Sequence, residues 1–174
     1  MDFEAIRTAI QAWAVSVVPV ETIFLNQDGN VPPLPFCTLL IQPVAFIGQD
    51  ESSNDDAGLV TYTGQREISV SAQYFGANAM QNAIDLGESI EMLEARDLIA
   101  ESDLVFVDRA GGVNDLSELF DTGFEERAGI DILLRVASIR TQAGIIIEKV
   151  EIDGEYIKAD GSTIERIEII DTTP

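Results

Sequence analysis

Between Arg66 and Gly76 the chain alternates. Ile68, Val70, Ala72 and Tyr74 share one face of an extended segment, and Glu67, Ser69, Ser71 and Gln73 share the other. That period of two predicts a half-buried strand. Gly76 permits a sharp turn, and Asn78 or Gly76 can cap a helix begun there. From Ala77 to about Arg96 the period changes: Ala79, Ala83, Leu86, Ile90 and Leu93 recur at helical spacing, predicting an amphipathic helix on the strand. Gly87 in its middle costs about 1 kcal/mol against alanine, and close helix–sheet packing is a sufficient reason for it. Phe3, Ile6, Ile10, Trp13 and Val17 mark a first helix from about Asp2 to Val18, with Asp2 and Glu4 at its positive end and Pro19 ending it. Only Arg7 would offer such a helix a basic outer face, so its apolar stripe reads as core and not as a membrane contact.

The other elements are strands and turns. Glu21–Asn26 is a short strand candidate, and Gln27-Asp28-Gly29-Asn30 with Pro32-Pro33-Leu34-Pro35 a stiffened connection. Phe36–Ile41 is apolar on both faces, and Pro43 is expected to limit pairing at its end. Gly48–Gly58 carries Asp50, Glu51, Asp55 and Asp56 among small polar residues and reads as an exposed, mobile acidic loop. Clustered oxygens invite a calcium reading, but the EF-hand spacing is absent. Strand character resumes at Leu59–Thr63, and Thr63-Gly64-Gln65 can turn it back into the alternating segment. Leu104–Val107 is a short strand, Asp108–Gly112 a loop without nucleotide-binding glycine spacing, and Asp115–Phe120 a single helical turn. Glu126–Ile139 is the longest strand candidate: Ala128, Ile130, Ile132, Leu134 and Val136 face one way, Arg127, Asp131 and Arg135 the other. The polar row is either a solvated face with cross-strand pairs or an intersubunit contact. From Gly144 onward, isoleucine-rich segments separated by Asp153-Gly154 and Asp160-Gly161 predict a β-meander. The fold class is α+β: a largely antiparallel sheet with two main helices packed on it, in one domain over 1–174, with 143–174 a possible β-arm.

Composition narrows function mainly by exclusion. The 174 residues are enough for a packed core. Histidine is absent and Cys37 is the one cysteine, which removes imidazole-based catalysis, an intrachain disulfide and cysteine metal clusters. Cys37 lies in an apolar run and reads as a buried structural thiol. With 31 acidic residues some carboxylate pair falls at hydrolase spacing by chance, and aromatics are only 7%, so no enzyme is expected. No catalytic, cofactor-binding or metal residue is assigned. The net charge of −21 repels nucleic acid and anionic membrane. Solubility, a place beside polyanions, or adaptation to salt would each produce it. The acidic start Met1-Asp2-Phe3-Glu4 lacks the basic region of a signal peptide, so an intracellular origin is expected.

Several segments in order carry a resemblance: Pro35-Phe36-Cys37-Thr38-Leu39 after its Pro-rich approach, Arg66-Glu67-Ile68-Ser69-Val70-Ser71-Ala72-Gln73-Tyr74-Phe75-Gly76-Ala77-Asn78-Ala79, Arg127-Ala128-Gly129-Ile130-Asp131-Ile132-Leu133-Leu134, and Ile147-Glu148-Lys149-Val150-Glu151-Ile152-Asp153-Gly154. The sequence resembles the neck and tail terminator proteins of long-tailed phages along most of its length. The long acidic Gly48–Gly58 segment and the low basic content depart from that pattern. The resemblance implies a structural virion subunit that forms a ring, typically of six, caps the finished tail tube and joins it to the head connector. Its partners are then copies of itself, tube and connector proteins, and the sheath in a contractile tail. DNA passes through its lumen without specific binding. No cofactor is implied. Arg66, Arg127, Asp131, Arg135 and Arg140 are the expected subunit contacts, and Asp50, Glu51, Asp55 and Asp56 the expected partner or lumen residues. The rival readings are another head–tail joining or tube subunit, an acidic cellular binding domain, and a carboxylate-based hydrolase.

Overall fold

The computed structural model describes residues 1–55, 57–120, 123–144, 149–150, 155–157, 159–161, 163–166 and 170–171. The first helix, α1 (Phe3–Val17), starts where the Asp2 carboxylate accepts the Glu4 and Ala5 N–H groups, a side-chain cap on otherwise unpartnered donors. Of its expected stripe, Ile6, Ile10 and Trp13 are fully buried, Val17 is half-buried, and Phe3 in the first turn is 37% exposed. Strand β1 (Glu21–Phe24) comes next, then two long strands, β2 (Phe36–Asn54) and β3 (Leu59–Phe75). After them come α2 (Ala79–Ser89) and α3 (Leu93–Ala100), β4 (Leu104–Arg109), β5 (Asn114–Asp115), β6 (Glu118–Phe120), β7 (Gly123–Glu125) and the long β8 (Arg127–Ala143). The C-terminal strands are β9 (Lys149–Val150), β10 (Glu155–Ile157), β11 (Thr163–Arg166) and β12 (Ile170–Asp171).

The main sheet has the order β1-β2-β3-β8-β4, with β5 also paired to β8. β1 runs parallel to β2, and β4 and β5 run antiparallel to β8. Gln73 meets Arg127 and Glu67 meets Arg135, so β3 and β8 run in opposite directions. Tyr74, Ala72, Val70 and Ile68 of β3 and Ile130, Ile132 and Leu134 of β8 form the core side of the sheet, as their alternation predicts. The Trp13 indole N–H donates to the Ser89 hydroxyl, which donates to the Leu86 carbonyl. Thus the indole that anchors α1 has its one polar group satisfied inside the core. A Cβ on Gly87 would lie 2.5 Å from Ile130 Cδ1, so helix–sheet packing does explain that glycine. Gly76 has φ +90° and would bring a Cβ to 3.1 Å from Leu34, so the turn into α2 needs glycine twice over.

Several expectations are corrected. The Gly48–Gly58 segment is not a loop: β2 continues to Asn54, and only the hairpin tip turns, with Asp55 Oδ1 accepting the Ala57 and Leu59 N–H groups. Pro43 does not end β2 either. β1 covers β2 only to Leu39, beyond which Leu25 N–H donates to the Leu39 carbonyl, so among the described residues one edge of the strand at Pro43 has no neighbour needing its N–H. Thr63-Gly64-Gln65 makes no turn, because β3 runs straight through it. The single helix expected to about Arg96 is two. Glu91 and Met92 donate to the carbonyls of Glu88 and Ser89, and Met92 is extended with φ −74° and ψ 147°. The Ser89 hydroxyl bonded back to Leu86 favours such a bend. Leu93, expected in the buried stripe, is 73% exposed. Asp115–Phe120 is not helical: Asp115 Oδ1 takes the Ser117 N–H and Leu116 N–H donates to the Arg127 carbonyl, local bonds that compete with a helix.

The chain divides into two compact units, Met1–Ser52 with Tyr62–Arg140, and Ser53–Thr61 with Thr141–Pro174. The first holds the helices and the core described above. In the second, the Gly144 N–H donates to the Gly58 carbonyl, β9 pairs with β12, and β10 pairs with β11, both antiparallel. The C-terminal strand region is thus present. Much of the expected meander, including 145–148, 151–154 and 167–169, lies outside the described residues.

Candidate functional site

The side of β3 and β8 turned away from the core collects most of the residues singled out in the sequence. Arg127, Asp131 and Arg135 recur at even spacing on β8 and are half-buried. Opposite them on β3 stand Glu67 and Gln73. Arg135 pairs with Glu67 at 2.8 Å. Arg127 donates to the Gln73 amide oxygen and lies over the Phe75 ring at 4.8 Å. Phe75 in turn stacks on Phe36, with ring centroids 4.6 Å apart. The Nε atoms of Arg127 and Arg135 are buried without a hydrogen-bond partner, so each guanidinium retains donor capacity. Asp131 lies between the two arginines, and its backbone carbonyl accepts the Ala110 N–H.

A second cluster joins three strands. Asp50 on β2 accepts hydrogen bonds from Arg66 on β3 at 2.8 Å and from Arg140 on β8 at 2.6 Å. Arg66 is buried, because it occupies the core-facing register of β3 ahead of Ile68, and its guanidinium lies 4.6 Å from the Phe46 ring centroid. The Arg66 hydrogen bond first, and that from Arg140 with it, hold the Asp50 carboxyl below its ordinary range against partial desolvation. The acidic residues expected to act together are thus separated in role. Asp50 is a half-buried counter-ion, Glu51 is exposed, and Asp55 builds the hairpin turn. Asp56 lies outside the described residues.

The structure therefore brings Arg127, Asp131 and Arg135 onto one face and sets Arg66 and Arg140 around Asp50. The sequence reading missed the partners Glu67, Gln73 and Phe75. Their alternation was visible, but the register between β3 and β8 was not. Cys37 is fully buried against Tyr74, and burial pushes its thiol up to about 12. That is the inert structural thiol expected from its apolar run. Among the described residues no helix is long and apolar enough to cross a membrane. The Asp115 carboxyl is lowered by hydrogen bonds from Ser117, and the Tyr74 hydroxyl is raised by burial in the core beside Cys37. A surface so arranged can bind and align protein partners through charge and hydrogen bonds.

The family described as phage neck terminator protein matches residues 4–160 of the chain. No curated protein matches it. One solved structure overlays with a TM-score of 0.34 and 16% identity, covering 78% of this chain and 96% of its own, a likeness that carries no argument.

Proposed function

The chain belongs to the phage neck terminator protein family, and from that membership we propose that copies of it close a ring that caps the tail tube and joins it to the head connector. The family is structural, and its place is the neck of the virion. The match over residues 4–160 is the observation that carries the reading. Charge supports it. The chain carries −21 overall, and Arg7, Arg66, Arg109, Arg135 and Arg140 are each already paired with a carboxylate of the same chain. A ring of such subunits presents excess negative charge to DNA in its lumen and lets it pass without binding. Six copies are expected. Of the expected contact set, the half-buried strip of Arg127, Asp131 and Arg135 and the 66% exposed Arg140 are within reach of a neighbouring copy, while Arg66 is buried on Asp50. Asp50, Glu51 and Asp55, on the β2–β3 hairpin, are the acidic residues that would meet a partner or the lumen, with Asp56 as a further expected one.

Imaging of the assembled particle tests this. A single ring of this protein at the tail–head junction is the expected result. Many stacked layers would make it a tube subunit, and absence from the particle would end the structural reading. In a gel shift at low salt, where electrostatic binding is strongest, no complex with DNA should form.

A further inference from the structure

The two ends of α2 carry complementary surfaces. Before the helix, Gly76 and Ala77 line a cavity of about 600 Å³ together with Leu34, Phe124, Glu125 and Glu126. Leu34 and Glu125 also border an adjoining cavity of about 510 Å³. Leu34 and Phe124 are 54% and 65% exposed. Among the described residues no lysine or arginine lines either cavity, so a fitting occupant is apolar and cationic. After the helix, Met92 and Leu93 stand side by side at the corner before α3, 60% and 73% exposed. Together they offer adjacent apolar side chains to a partner surface. α3 begins without a side-chain cap, so its first N–H groups favour a negative neighbour. One turn on stands Arg96, exposed. Among the arginines whose side chains are described, it is the one with no ion pair or side-chain hydrogen bond within the described residues. Glu94 and Asp97 flank it.

We propose that the Met92–Leu93 corner of one copy seats in the Leu34–Phe124 groove of the next, with Arg96 facing Glu125 and Glu126. The inference rests on the ring reading and adds an apolar contact to it. A second copy is the occupant because this corner supplies what the groove lacks, two exposed apolar side chains beside an uncommitted cation. The 11 residues of α2 hold the two patches about 16 Å apart along the helix, so the contact joins different patches on successive copies. Such a heterologous contact closes a ring when its rotation fits the subunit number.

The test uses the full chain in assembled particles. Leu93→Cys and Phe124→Cys are placed in one chain, and a short bifunctional thiol linker is added, which tolerates more separation than a disulfide. Cys37 is fully buried and does not compete. A ladder of covalent oligomers is expected, absent from each single variant. A ring seen by imaging without that ladder overturns this contact and leaves the ring reading standing. No ring and no ladder overturns both. Arg96→Glu should weaken ring assembly about tenfold, and Glu125→Arg in the same chain should restore it. Unchanged thermal unfolding of each variant assigns the loss to assembly, and failure of the rescue overturns the charge pairing.

Discussion

The two faces of the β3–β8 pair come from the same two strands and are held by different forces. Toward the helices, Ile68, Val70, Ala72, Ile132 and Leu134 are fully or almost fully buried. This face is held by removal of apolar surface from water and by close packing. Toward the other side, Glu67, Gln73, Arg127, Asp131 and Arg135 stay half-buried and interact through directed, charge-assisted bonds. The dry face holds the subunit together. The polar face adds little to folding, because half-exposed ion pairs are screened by water. Asp50 with Arg66 and Arg140 lies between these extremes, since Arg66 enters from the core-facing register yet ends on a carboxylate.

Substitutions on each face separate these contributions. Leu134→Ala on the dry face should have the largest effect, a loss of about 2–5 kcal/mol in denaturant unfolding, from lost transfer energy plus a cavity. Gly87→Leu probes the same face from the helix side. Helix propensity favours leucine there by about 1 kcal/mol, but the 2.5 Å approach of a Cβ to Ile130 should dominate, with a net loss of about 1–3 kcal/mol. A more stable Gly87→Leu variant would mean that the Ile130 side chain or α2 itself can move aside.

Asp50→Asn should destabilise less than either core change, and its effect should depend on pH. The Asp50 carboxyl titrates below its ordinary value of 3.8 in the folded chain. The stability it contributes is therefore present above that value and is lost as pH falls through the lower folded value. Melting curves of the parent and Asp50→Asn chains should differ at neutral pH and converge below about pH 3.8. A constant gap down to strong acid would show that the two arginines are held by something other than this charge. The smallest effect belongs to the polar face. Arg135→Ala should cost about 0.2–1 kcal/mol in the free subunit, because that arginine is 37% exposed. A loss as large as that of Leu134→Ala would erase the distinction between the faces.

Sequence by itself determined which residues face the core wherever periodicity is local. The Ile6, Ile10 and Trp13 part of the α1 stripe, the alternation of Ile68 to Tyr74 and that of Ala128 to Val136 are realised, because each depends on spacing within one element. The same reading placed Arg127, Asp131 and Arg135 on one face. Tertiary structure alone decided the rest. The acidic run after Gly48 looks like loop by composition, but it is held as strand by pairing with β3 and by Arg66 and Arg140 from distant positions. Leu93 fits a helical stripe by spacing, but the Ser89 hydroxyl is drawn to Leu86 and Trp13, and the helix breaks before Leu93 can turn inward. Periodicity is a property of neighbours in the chain, while register, helix ends and the partners of buried charges depend on residues far apart in it. For the same reason the groove by Leu34 and the corner at Leu93 become visible only once α2 holds them at its opposite ends.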